Sequence, residues 1–138
     1  PGMLAGLPPN DPLKIAAGTY GTPNLGQWPL LRMEGVDTFL RFFRLLGEHQ
    51  AARRNQVLAV AYFHPWEFQE TPPVVDGPEA TCRLRETLYH RTGPEALAFL
   101  DRWIAGMQDE GWIFRTLAEE AQSRLAGEKE APKGEAAP

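Results

Sequence analysis

The apolar run V-L-A-V-A-Y-F at 57–63 is the longest in the chain, and it stops at a histidine: H-P-W-E-F follows at 64–68. Seven residues make a strand and fall far short of the roughly 20 that a membrane span requires. The run has no polar alternation, so both of its faces need cover, as in a parallel strand with helices on either side. Helical periods should therefore flank it.

They do. Upstream, Val36, Phe39, Leu40, Phe43 and Leu46 fall at i, i+3, i+4, i+7 and i+10 and predict a helix over 36–50. Phe42 and Leu45 widen its apolar stripe, and Arg41, Arg44 and Glu48 point away. Downstream, the loop QETPPVVDGP (69–78) leads into a weaker segment at 79–90. T-G-P-E at 92–95 then reads as a helix start, with a threonine cap, a proline in the first turn and a glutamate in capping-box position. Leu97, Leu100, Ile104 and Met107 form the buried face of that helix, and Gly111 stops it. W-I-F at 112–114 predicts a short strand, and T-L-A-E at 116–119 a second capping box that opens a helix to about 125.

The flanks are different in kind. Residues 1–32 are rich in proline and glycine and read as an irregular surface connection, with short strands expected at 13–16 and 29–33 and with Trp28, Leu30 and Leu31 as anchors. The tail at 127–138, GEKEAPKGEAAP, has no apolar residue larger than alanine or proline and is expected to be disordered. Helix, strand, loop, helix, strand, helix is the order of an α/β domain with parallel strands and crossover helices. Two strands are too few for a closed barrel, so 33–126 reads as the back half of a larger domain. The chain opens on Pro1 and not on methionine, which accords with a segment lying upstream.

Composition narrows the partners. The 138 residues carry a formal charge of −4, which leaves no electrostatic footprint for nucleic acid or an anionic membrane surface. Cys82 is the only cysteine, so there is no internal disulfide and no thiolate metal cluster. Gly-rich phosphate loops and a G-x-S-x-G elbow are absent.

His64 is the first candidate for chemistry. In parallel α/β architectures, reactive groups collect where strands end and their loops converge. Pro65 disfavours the helical region for the residue before it and so holds His64 extended. An imidazole there can donate or accept a proton near neutral pH. Trp66 offers a flat ring of the kind that packs on a sugar face, and Glu67 an acceptor beside it. The same residues also suit packing: a histidine after a buried strand can be a hydrogen-bonded core residue, and a tryptophan there a cap on the core. His49, near the end of the first helix, and His90, in the loop before the second, read as a solvated and a structural residue. His64 and Glu67 are too few to make a metal site.

A-Y-F-H-P-W-E-F at 61–68 resembles the last catalytic motif of polysaccharide deacetylases of the NodB-homology family, in the subgroup whose final strand ends in H-P-W-E. The segment 97–119, with its G-W-I-F-R-T-L ending, is similar to that family's closing helix, short last strand and following helix. The resemblance implies the C-terminal part of an incomplete (β/α) barrel and a hydrolase of carbon–nitrogen bonds that removes N-acetyl groups from amino-sugar polysaccharide. It implies that His64 protonates the departing amine and that Tyr62, Trp66 and Glu67 bind substrate. It also implies a divalent metal, zinc or similar, whose ligands lie outside this chain. The family's paired aspartates and H-x-x-x-H are absent from these residues, and Tyr62 stands where many members have leucine. The expected partners are an N-acetylated polysaccharide or oligosaccharide and the N-terminal half of the same domain. The alternatives are a non-catalytic carbohydrate-binding or interaction module built on that fold, and a small α/β protein that pairs with a separate half.

Overall fold

The structure is a computed structural model that describes residues 2–21, 25–27, 30–54 and 57–130. Helix α1 (Pro12–Tyr20) replaces the strand expected at 13–16. Asp11 accepts from Leu13 N at 3.0 Å and caps it, and Pro12 fills the first position, where its missing N–H costs nothing. The strand expected at 29–33 is instead a wide π-type turn, Leu30–Glu34, with position 29 outside the described residues, as is Trp28.

Helix α2 (Val36–Ala52) matches the expected 36–50, and Phe39, Phe42 and Phe43 are buried along its stripe. Helix α4 (Pro94–Asp109) buries Ala96, Trp103 and Met107, and Trp103 and Met107 join the same core as the α2 phenylalanines. Both helices pack on the Leu30–Glu34 turn, and the core forms where the three meet. Trp103 is its centre: its ring lies 5.2 Å from Phe39, 5.3 Å from Phe43, 5.8 Å from Phe63 and 5.5 Å from Phe114. Where α4 meets α2, Gly106 sits where a Cβ would come within 2.9 Å of the Leu40 side chain, so a larger residue would force that side chain to move. Asp11 also anchors α1 to α2 through both nitrogens of the Arg41 fork, at 2.6 and 3.0 Å. The capping box at Thr116 and Glu119 forms as expected and opens α5 (Leu117–Glu130). Positions 127–130 of the expected tail belong to α5, and positions 131–138 lie outside the described residues.

The strands depart furthest from expectation. The described residues form one regular sheet, the antiparallel pair β1 (Val74–Asp76) and β2 (Thr81–Arg83), with β1 inside the expected loop and β2 in the weaker segment after it. The segment 57–63 forms no strand, and among the described residues it meets a strand-like partner at one point, a parallel bridge between Tyr62 and Gln27. A strand exists only where neighbours take up its N–H and C=O groups. Ala59, Ala61 and Phe63 pack against the core, whereas Val60 and Tyr62 on the other face are 62% and 53% exposed. One face is covered and one is not. The 112–114 segment likewise does not form a strand, and Ile113 is 76% exposed. Between the two segments runs an apolar groove of about 850 Å³. The short helix α3 (Glu86–Tyr89) completes the set.

Trp103→Ala removes the ring that four other aromatic side chains share, and should lower the unfolding free energy by about 3–5 kcal/mol. Ile113→Ala, at an exposed site, should change it by no more than about 0.5 kcal/mol. Urea unfolding of both variants measures this, and equal effects would place the core elsewhere.

Candidate functional site

Pro65 makes His64 adopt φ −99° and ψ 139°, the extended conformation that a following proline favours. The chain then closes into a single 3₁₀ turn, Pro65–Phe68. Glu67 N donates to His64 O at 3.0 Å, and Glu67 Oε1 accepts from His64 N at 2.5 Å, so the turn is tied reciprocally at its start. Glu67 O accepts in turn from Gly93 N at 2.8 Å. Gly93 has φ +72°, and a Cβ there would stand 2.7 Å from the Glu70 side chain and 3.1 Å from its backbone nitrogen, so the approach depends on glycine.

Beneath this turn lies a residue that the sequence reading did not single out. The Arg32 side chain is 1% exposed, and its Nε meets Glu67 Oε2 at 3.3 Å; the Glu67 side chain is also 1% exposed. Arg32 Nη2 donates to Thr87 O at 2.7 Å, and Nη1 donates to His90 O. A guanidinium fork suits this task, because it can meet a carboxylate and the last carbonyls of helix α3 at once. Arg91 returns a bond to Arg32 O at 3.2 Å.

Glu67 was expected to face substrate. Its two oxygens instead face His64 N and Arg32, below the surface. Burial raises its pKa above the ordinary carboxylate range, and the His64 N–H and the Arg32 charge oppose that only in part. Burial lowers Arg32 in the same way, with Glu67 opposing. Burial thus disfavours the charged form of both residues, and each is the other's compensation.

Above the turn, three rings gather. Tyr62 OH lies 3.3 Å from His64 Nδ1, with the rings edge to face at 4.7 Å and 80°. Trp66 stacks on His64 at 5.7 Å and 21°, and Arg32 Cζ stands 5.4 Å from the Trp66 ring. Tyr62, His64 and Trp66 are therefore brought together, and all three are at least partly accessible. The apolar groove at 57–63 includes Tyr62 but not His64 or Trp66, so it is a separate feature. His49 lies in the last turn of α2, and His90 closes α3 with its Nδ1 3.9 Å from Glu86 Oε1. Among the described residues no three His, Cys, Asp or Glu side chains come together in a way that could hold a metal ion.

No family model, curated protein or solved structure matches the chain.

The direction of the Glu67 shift fixes a pH dependence. A carboxyl whose folded pKa is raised binds more protons folded than unfolded, so its contribution to stability falls as pH rises from about 4.3 through the raised value. Asp11, held low chiefly by Arg41, acts oppositely, and its contribution is lost as pH falls through its depressed value. Urea unfolding of wild type and Glu67→Gln from pH 4 to 7 should show the first slope in wild type and its loss in the variant. The same slope in both would mean that Glu67 is not the titrating group.

Proposed function

We propose that the chain is the C-terminal portion of a metal-dependent polysaccharide deacetylase, in which His64 protonates the amine as the N-acetyl group is released. The observation that supports this best is the fixation of His64. Its main chain is held by Pro65 and Glu67 at the end of an extended apolar segment, and its ring is held by Tyr62 and Trp66 at an accessible surface. Breaking an amide C–N bond expels a strongly basic nitrogen, which has to be protonated as it leaves. A general acid is effective only when its proton lies within hydrogen-bond reach of that nitrogen, and a fixed ring meets this condition.

Trp66 and the Tyr62 edge provide aromatic surface for the apolar faces of an amino-sugar chain. Glu67 supports the site from below, as the acceptor that sets the His64 main chain. The divalent metal that the family resemblance implies would take its ligands from outside this chain, and the role of His64 does not depend on where they lie. The exposed apolar face of 57–63 supports a further part of the domain packing there, as an incomplete (β/α) barrel would require.

In the full-length protein acting on N-acetylated oligosaccharide, His64→Ala should lower kcat by about 10²–10⁴-fold and leave KM within a few-fold. Metal content should stay at the wild-type level. Retention of wild-type kcat, or loss of the metal together with activity, would overturn the assignment of His64. Oligosaccharide binding without release of acetate by the wild type would favour a carbohydrate-binding module.

A further inference from the structure

Residues two apart on an extended segment share a face, which puts the Tyr62 and His64 side chains next to each other. Tyr62 OH is 3.3 Å from His64 Nδ1, and the Tyr62 ring meets the imidazole edge-on at 4.7 Å. On the same imidazole, Trp66 stacks at 21°. The His64 main chain is fixed by its 2.5 Å bond to Glu67, a residue that is itself 1% exposed. Main chain and ring are thus both held, and Nδ1 has a defined partner.

We infer that Tyr62 is a positioning residue whose hydroxyl engages Nδ1 of His64 in both protonation states and makes Nε2 the nitrogen through which the ring passes its proton. The consequence for catalysis rests on the reading of His64 as a proton donor; the hydrogen bond itself does not.

A hydroxyl is both donor and acceptor, and its hydrogen can rotate. Beside the neutral ring, the phenol O–H is the better donor and the imidazole lone pair the better acceptor, so Tyr62 donates to Nδ1 and the ring proton sits on Nε2. Beside the imidazolium, Nδ1–H donates to the Tyr62 oxygen and the phenol hydrogen turns away. When Nε2 then gives its proton to a departing amine, the ring becomes neutral with its proton on Nδ1, still bonded to Tyr62. Solvent then returns a proton to Nε2 and restores the imidazolium, so protons balance over the cycle and the imidazole need not flip. A leucine at position 62 could hold Nδ1 in neither state.

The test needs no activity. In the ¹⁵N-labelled 138-residue chain, long-range ¹H–¹⁵N spectra of the His64 ring, recorded at a pH where it is neutral, report the ratio of the two tautomers. Wild type should hold Nε2–H in excess. Tyr62→Phe should raise the proportion of Nδ1–H relative to Nε2–H by about 2- to 10-fold, the effect of one ordinary hydrogen bond. Tyr62 is 53% exposed, so this substitution spares the core. An unchanged ratio in Tyr62→Phe, or a wild-type ring mainly in the Nδ1–H form, would overturn the inference. A tautomer shift in a protein that lacks deacetylase activity would leave the inference standing and remove only the catalytic reading.

Discussion

A buried ion pair, Arg32 with Glu67, holds the region around His64 together. Removing two charges from water costs several kcal/mol per ion, and the attraction between them repays this only when the remaining donors and acceptors are satisfied. Here they are used for construction. Arg32 reaches Glu67, Thr87 O and His90 O, and Glu67 reaches His64 N. One pair thus joins the Leu30–Glu34 turn, the Pro65–Phe68 turn and the end of α3, while Glu67 O receives the start of α4 through Gly93. An apolar pair of the same volume could fill the space. It could not dictate where the His64 main chain lies.

The aromatic core provides the other half of the support. Phe63, the residue before His64, packs its ring 6.2 Å from Phe39 and 5.8 Å from Trp103. The end of the extended segment is therefore anchored to the α2–α4 contact on one side and to the ion pair on the other. His64 sits where these two supports meet. On the opposite face of the segment, Val60 and Tyr62 are exposed.

Features set by local chemistry were legible in the sequence. The apolar period of α2, the Thr116–Glu119 capping box, the helix stop at Gly111 and the extended His64 before Pro65 all depend on neighbours within a few positions. The helix at Pro12–Tyr20 was legible too, since D-P at 11–12 is a cap followed by a first-position proline, but the proline and glycine around it masked the signal. The 57–63 strand was inferred from its apolar pattern, yet strand pairing belongs to the partner as much as to the segment. Glu67 was misplaced for a similar reason. Its neighbour Arg32 is 35 positions away, and nothing local distinguishes a carboxylate bound for the interior from one bound for substrate. A lone arginine within the apolar P-L-L-R-M stretch at 29–33 was the available hint.

The central claim is that Arg32 and Glu67 act as one unit. A double-mutant cycle with Arg32→Met, Glu67→Leu and the combined variant, read by urea unfolding of this chain, tests it directly. Each single substitution strands a buried charge and should cost about 3–5 kcal/mol, while the double variant should cost well under the sum, by on the order of 2 kcal/mol or more. The carbonyls of Thr87 and His90 lose Arg32 in both the single and the double variant, so their loss cancels in the cycle. Costs that simply add, to within about 0.5 kcal/mol, would show that the two residues contribute independently and would contradict the account.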